Sequence, residues 1–324
     1  MSNPNPELLA FSSRGNSIET LHHGWICVLN KEKKIIYKKG NIFDYTFLRS
    51  AAKPIQAIPI IDNNLNVSSK ELAIITGSHS GSKKHLKILE RFMQKHNLTL
   101  SSLKCGIHPP LDEAERIRLI KKGCSPSKLH NNCSGKHLGM LALCKTNSWD
   151  IKSYTKINHP LQQYILKTIK DLSETKKIIL GIDGCSVPTF SMPIINIAKL
   201  FSNFTNPKHN QYKEIISSIT KNPFFIGGNG HIDTEIIKCS KGKLIAKCGA
   251  EGIMIVAYNG NSAVIKIADG SSKIRSIVML SLLKELNWLK KSELENPILK
   301  RVLQGNIKNH SGLITGKINT LFKI

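Results

Sequence analysis

Three apolar runs in the last third of the chain constrain the fold most. They cover residues 244–247, 253–258 and 263–268. The last two runs are separated by a short segment containing Asn259-Gly260, a pair typical of tight hairpin turns because both residues tolerate a positive φ angle. The runs therefore predict successive antiparallel strands, with Lys266 inside the last one.

Other segments extend this sheet and add helices around it. Weak alternation in residues 24–30 and 34–39 predicts a hairpin, and the apolar run 178–182 predicts a buried strand. Apolar residues at helical spacing predict helices over 83–96 and 274–289. No linker-like segment divides the chain, so strands from both ends are expected to share one sheet. The predicted class is α+β, an antiparallel sheet flanked by helices in a single domain, 1–324, with two lobes as an alternative.

Composition narrows the function classes. The formal charge of +25 would suit nucleic acid, but the lysines are dispersed in short runs, outnumber the arginines and lack interleaved aromatics. We therefore expect a solvated basic surface and no nucleic-acid partner. The start of the sequence has no signal-peptide pattern, and no apolar run is long enough to span a bilayer, so we expect a cytoplasmic protein without membrane contact.

A hydroxyl and an amine lie three residues apart in Ser50-Ala51-Ala52-Lys53. At this spacing on a helix the two side chains share a face, so Lys53 can accept the proton of Ser50. We expect the helix to start near Arg49 and to be kinked at Pro54. The alternative is a chance motif whose lysine faces solvent.

Further polar groups could complete a site. Ser78 follows a short apolar run and lies in a small-residue loop, where Lys266 could be its amine partner, unless that lysine points to water. The eight cysteines show no disulfide-framework spacing. Two of them, with a nearby lysine, could hold Zn²⁺, and ordinary buried thiols are the alternative. These residues are Cys133, Lys136 and Cys185.

Four residues are candidates for binding substrate. Arg49 can clamp a carboxylate with its guanidinium fork, and Asp183, which follows the predicted strand 178–182, can pair with an ammonium group. Together they suit an amino acid, and surface ion pairs are the alternative. His137, in a loop that leads into an apolar helix, could contact substrate or metal or be a satisfied core histidine, and Cys248 could line the same pocket.

Five stretches together resemble the rhizobial-type L-asparaginases, also called class 3 or asparaginase II. They occur in the order of that family between about Gly24 and Leu289. The stretches are Leu48-Arg49-Ser50-Ala51-Ala52-Lys53-Pro54-Ile55-Gln56, Ser78-His79-Ser80-Gly81, Asn132-Cys133-Ser134-Gly135-Lys136-His137-Leu138-Gly139-Met140-Leu141, Asp183-Gly184-Cys185-Ser186-Val187-Pro188 and Lys247-Cys248-Gly249-Ala250-Glu251-Gly252.

The resemblance implies a homodimeric amidohydrolase that converts L-asparagine to L-aspartate and ammonia, with a fold similar to serine β-lactamases and glutaminases. It implies two Ser–Lys tandems, Ser50 with Lys53 and Ser78 with Lys266, and a zinc site formed by Cys133, Lys136 and Cys185. The chain departs from the family at His231, where arginine is usual. Alternatives are a β-lactam-recognising or glutaminase-like serine hydrolase, a nucleic-acid binder, and a non-catalytic amino-acid-binding protein.

Overall fold

The computed structural model describes residues 3–324 and contains eleven strands and fourteen α-helices in that range; Met1 and Ser2 lie outside the described residues. The strands are β1 Glu7–Arg14, β2 Ser17–Leu29, β3 Ile35–Lys39, β4 Tyr45–Phe47, β5 Ile179–Ile182, β6 Pro188–Pro193, β7 Ile245–Cys248, β8 Ile253–Tyr258, β9 Asn261–Ile267, β10 Asn306–Lys308 and β11 Ile314–Thr320.

The helices are mostly short. They are α1 Lys53–Gln56, α2 Ile58–Asp62, α3 Ser69–Thr76, α4 Lys83–Lys95, α5 Glu113–Lys121, α6 Ser134–Thr146, α7 Pro160–Ser173, α8 Ile194–Phe204, α9 Lys213–Lys221, α10 Phe224–Gly227, α11 Ile232–Cys239, α12 Ser272–Glu285, α13 Lys291–Leu294 and α14 Pro297–Gln304. Within the described residues no helix is both long and apolar enough to cross a bilayer.

The chain forms two compact units. The first comprises the described residues up to Ala51, Met192–Pro207 and Glu235–Ile324, and the second comprises Ala52–Ser191 and Lys208–Thr234. The prediction of a single catalytic domain over 1–324 stays a prediction.

The first unit contains an eight-stranded antiparallel sheet in the order β10-β11-β1-β2-β9-β8-β7, with β3 also paired to β2. Helices α8 and α12 pack against it. Successive residues of β9 point to opposite faces, yet Ala263, Val264 and Ile265 are all fully buried, so both faces are covered there. The α+β class and the shared sheet are therefore confirmed.

The turn chemistry of the first unit follows the sequence. Asn259 and Gly260 both have positive φ angles, 45° and 81°, and connect β8 to β9 as a two-residue loop. Asn and Gly accept this conformation at low cost, which fixes the register Tyr258 opposite Asn261. That register places Lys266 opposite Ile253.

The second unit is mainly helical. Helix α3 lies at its centre and contacts α1, α4, α6, α9 and α10. Its N-terminus is fixed by a capping box, in which the Ser68 hydroxyl accepts from the Glu71 N–H and the Glu71 carboxylate accepts from the Ser68 N–H. The glycines of α6 allow close approach, because a Cβ at Gly135 would lie 2.6 Å from the Ile74 carbonyl oxygen.

Two local predictions differ from the structure. The helix expected from Arg49 is a 3-10 turn, Arg49–Ala52, followed by α1 and α2, which are separated at Ala57. Pro54 and Pro59 each stand in the first turn of an α-helix, where no N–H is needed. The strand predicted at 178–182 forms, but its expected burial is wrong, because Ile182 is 84% exposed.

Candidate active site

Lys53 is the first residue of α1, and its ammonium group is enclosed by hydrogen-bond acceptors of the second unit. Its Nζ donates to the Gly77 carbonyl at 2.8 Å, to Ser78 Oγ at 2.9 Å and to the Asn132 carbonyl at 3.0 Å. The side chain is fully buried. The sequence did not predict this contact between Lys53 and Ser78.

The three contacts of Lys53 differ in what they can do. Carbonyl oxygens only accept, so Gly77 and Asn132 hold two N–H bonds of the amine whatever its charge. A hydroxyl both donates and accepts, so the Ser78 O–H can donate to the lone pair of an uncharged amine. A proton can therefore pass between Nζ and the Ser78 hydroxyl.

Ser78 is held by the backbone around it. It follows α3 directly after Gly77, and its N–H donates to the Ile226 carbonyl at 2.7 Å. A Cβ at Gly77 would lie 2.4 Å from the Phe225 carbonyl oxygen, so this approach requires glycine. Ser78 itself is 7% exposed.

His79, next to this serine, is completely buried. Its Nε2 lies 2.9 Å from Ser134 Oγ, and its Nδ1 accepts from the Gly81 N–H at 3.2 Å. Burial, together with nearby positive groups, lowers the pKa of His79 well below its usual value, so the imidazole is neutral. The sequence places His79 in a motif but assigns it no role.

The N-terminus of α6 carries the first predicted metal ligand. Cys133 is the N-cap residue of this 13-residue helix and is 4% exposed. The hydrogen bond from Cys185, followed by the positive charges of Lys53 and Lys136, lowers the pKa of the Cys133 thiol well below its usual value. The same hydrogen bond and burial raise the pKa of Cys185, so the two thiols titrate as a coupled pair.

The other two predicted ligands, Lys136 and Cys185, lie beside Cys133. Lys136 Nζ donates to Cys185 Sγ at 3.1 Å, and Cys185 Sγ lies 3.4 Å from Asp183 Oδ2. Burial works against the charge of Lys136, but the two cysteines and Asp183 outweigh it and raise the pKa of Lys136. The amine is therefore an ammonium in the metal-free protein.

This donor set fits a zinc ion chemically. One ligand atom each from Cys133, Asp183 and Cys185 lie within 4.8 Å of one another, and all three belong to the second unit. Thiolates and a carboxylate are ligands that Zn²⁺ accepts in tetrahedral sites. Asp183, which we expected to contact substrate, lies within this cluster. Lys136 can bind a metal ion only after it loses its proton.

His137 is fully buried in α6. Its Nδ1 lies 2.7 Å from the Tyr154 hydroxyl, which also accepts from the Lys104 N–H at 2.9 Å. Burial, followed by the charges of Lys136 and Lys53, lowers the pKa of His137 well below its usual value.

In the first unit, Arg49 and Ser50 begin the 3-10 turn that precedes α1. Arg49 has a positive φ angle of 48°, which is uncommon for a residue with a side chain and costs about 1–3 kcal/mol. Its Nη1 lies 3.7 Å from Glu251 Oε1, and Glu251 also has a positive φ, 60°. The predicted tandem of Ser50 with Lys53 stays a prediction.

Lys266 also has two backbone acceptors. Its Nζ donates to the Glu251 and Ile267 carbonyls, each at 2.6 Å, and burial lowers its pKa. The alternative, a lysine that simply points to water, does not describe this half-buried group. Its tandem with Ser78 stays a prediction.

The loop after β7 is fixed by a residue that the sequence did not predict as part of the site. Arg275, in α12, is 7% exposed, and its Nη1 donates to the Gly249 carbonyl at 3.0 Å. Gly249 follows Cys248, the buried last residue of β7. Arg275 stands among apolar helix positions, and only knowledge of the loop's place in the fold could have singled it out.

Comparison with known proteins decides the family. The family model described as L-asparaginase II matches residues 10–320. The chain belongs to the L-asparaginase II family. This membership implies an amidohydrolase that acts on a small molecule.

Other comparisons are more distant. No curated protein matches the chain. Among solved structures, a β-lactamase from Mycobacterium bovis is similar with a TM-score of 0.43 and 11% sequence identity, over 81% of this chain and 94% of that chain. At this TM-score the likeness indicates nothing about the activity of this chain.

The structure thus brings most of the predicted site residues of the second unit together. Lys53 meets Ser78, while Lys136, Asp183 and Cys185 form a cluster with Cys133. His231, where the chain departs from its family, has Nδ1 at 3.8 Å from Asp233 Oδ2.

Proposed function

We propose that this protein hydrolyses the side-chain amide of L-asparagine to L-aspartate and ammonia by Ser–Lys catalysis. The observation that carries the proposal is the enclosure of Lys53 by two carbonyls and one hydroxyl. An amine that fixed carbonyl acceptors hold beside a hydroxyl is prepared to exchange protons.

The proposed reaction has an acylation and a deacylation half. Ser50 Oγ attacks the amide carbon, and its proton passes to Lys53. The C–N bond then breaks while Ser78 transfers a proton to the leaving nitrogen and regains one from Lys53, so ammonia departs and an aspartyl ester remains on Ser50. Water attacks this ester with Lys53 as base, releasing aspartate and restoring the serine.

Substrate recognition is proposed for four residues. The guanidinium of Arg49 would pair with the substrate carboxylate. This pair would replace the 3.7 Å ion pair between Arg49 and Glu251, whose side chain is 69% exposed. Asp183 would pair with the α-ammonium group, and His137 and Cys248 would line the pocket.

Zinc is proposed as a resident ion held by Cys133, Lys136 and Cys185, with Asp183 close enough to join them. The ion would fix the Cys133 turn and the substrate pocket, and a protein-rich shell suits this role better than water activation.

Variants at the two serines test the catalytic assignment. We expect Ser50→Ala to abolish ammonia release from asparagine and to prevent an aspartyl adduct detectable by mass spectrometry. Ser78→Ala should slow ammonia release by about a hundredfold or more, the scale of general acid–base catalysis. An active Ser50→Ala variant with an adduct on Ser78 would transfer the nucleophilic role to Ser78. Wild-type protein that releases no ammonia from asparagine would refute the function, and faster release from glutamine would support the glutaminase-like alternative.

A homodimer and a cytoplasmic location are also proposed, the first from the family resemblance and the second from the sequence pattern. Light scattering on the purified protein tests the dimer, and a mass of 36.0 kDa, that of one chain, would refute it. Cell fractionation tests the location.

A further inference from the structure

We propose that His79 is a positioning residue that holds the Ser78 hydroxyl against Lys53. The inference rests on the proposed function, because it concerns the proton that Ser78 gives to the leaving nitrogen. It adds a residue to the catalytic apparatus that neither the sequence motifs nor the family match assigns.

The hydrogen bonds around His79 have one consistent direction. Ser134 Oγ donates its only hydrogen to the Leu129 carbonyl at 2.9 Å, so toward His79 it can only accept. Nε2 of His79 therefore carries the hydrogen, and Nδ1 accepts from the Gly81 N–H. Both ring nitrogens are occupied, so the imidazole cannot itself take a proton from substrate or serine.

Side-chain hydrogen bonds of Lys53 and His79 connect two separate segments of the second unit. Lys53 bonds Gly77 and Ser78 on one segment and Asn132 on the other. His79 makes a second connection between the same two segments, because its Nε2 bonds Ser134 at the start of α6.

The segment Gly77–Gly81, the Ser78 loop, needs a side-chain contact that fixes its position, because a glycine lies at each of its ends. Gly77 precedes the serine, and Gly81, at a φ of 73°, closes the loop. Glycine gives the backbone more conformational freedom than any other residue. Without His79, the loop would keep its backbone hydrogen bonds, from the Ser78 N–H to the Ile226 carbonyl and from the Asp112 N–H to the Ser80 carbonyl, but the direction of the Ser78 side chain would be less restricted.

Two substitutions each keep one of the two hydrogen bonds of His79, the bond of Nε2 to Ser134 or the bond of Nδ1 to the Gly81 N–H. In His79→Gln the side-chain amide can still donate at the place of Nε2, whereas in His79→Asn it reaches only the place of Nδ1 and can accept from Gly81. His159→Asn is the matched control: His159 is 5% exposed in the same unit and caps α7, a role that asparagine also fills.

The readouts separate positioning from general folding. We expect His79→Asn to lower kcat for asparagine by about tenfold or more with KM unchanged within about threefold, as for a misplaced proton-transfer group. With L-aspartic acid β-hydroxamate, whose leaving group is less basic than ammonia and depends less on a proton donor, the loss should be below about threefold. His79→Gln should retain most of the activity on both substrates.

Hydrogen exchange measured by mass spectrometry tests the same idea without turnover. His79→Asn should speed exchange in the peptide containing Gly77–Gly81 and leave the peptides of α7 unchanged. Equal losses on both substrates, or unchanged exchange in the Ser78 loop, would overturn the inference while leaving asparagine hydrolysis by the wild type intact. If the wild type does not hydrolyse asparagine, the function fails, and the exchange measurement still decides whether His79 fixes the loop.

Discussion

Replacing Lys53 with methionine tests the centre of the proposed mechanism. Methionine has a similar length and no charge, so the change removes the proton acceptor with little change in volume. The loss of a general base typically costs 10²–10⁴ in rate, so we expect kcat for ammonia release to fall by about a hundredfold or more.

The same substitution affects stability in two opposing ways. It leaves the Gly77 and Asn132 carbonyls without their donor, at about 1–3 kcal/mol for each buried acceptor. It also removes the cost of burying an amine, which is several kcal/mol for an ion. We therefore expect the free energy of unfolding to fall by only about 1–3 kcal/mol, and the variant to remain folded.

A coupled ammonia assay and urea unfolding measure the two effects on the same preparations. Lys95→Met is the matched control, because Lys95 belongs to the same unit and pairs with Glu71 near the surface, where an ion pair contributes about 0–1 kcal/mol. A Lys53→Met variant that keeps more than about a tenth of the wild-type kcat would refute the role of Lys53 as a proton-transfer group.

Three further predictions concern packing, pH and metal. Gly135→Ala should lower the free energy of unfolding by about 1–3 kcal/mol because its Cβ meets the Ile74 backbone oxygen, whereas Gly139→Ala, which meets only side-chain ends, should cost less in the same urea titration. The hydrogen bond from Arg118 is the main cause that lowers the pKa of Glu115 below its ordinary value of 4.5. Ionised Glu115 therefore stabilises the fold fully above about pH 4.5. Glu115→Gln should therefore lower the thermal unfolding temperature at pH 7, and the difference should disappear as the pH falls through the lowered pKa. Elemental analysis should find about one zinc per chain in the wild type and much less in Cys133→Ser; equal contents would contradict the proposed metal site.

The sheet was predictable to the extent that its strands have local signals. The Asn259-Gly260 turn and the apolar runs on either side of it correctly predicted β8 and β9. Strands β1 and β11 were missed because serines, threonines and lysines interrupt their apolar positions, and their pairing joins residues more than three hundred positions apart, such as Ala10 and Thr320. Such a pairing leaves no local pattern.

The site was predictable as a set of residues but not as a set of contacts. The motifs named Lys53 and Ser78, yet helical spacing paired Lys53 with Ser50, and Ser78 was paired with the distant Lys266. The contact between them depends on how the end of α3 lies against α1, which is decided by packing. Asp183 joins the cysteines for the same reason, through the turn that carries Cys185.

The position of β1 between β2 and β11 has a consequence for biosynthesis. During translation, residues 52–191 and 208–234 can complete the second unit while the last ninety residues are still missing from the first. Strand β1 must wait for β11, and in that interval the backbone N–H and C=O groups of β1 that pair with β11 form an open strand edge. Loss of the final β11 segment from the polypeptide would make that exposed intermediate permanent, so premature termination near residue 310 should yield insoluble chains although every residue of the proposed site has been synthesised.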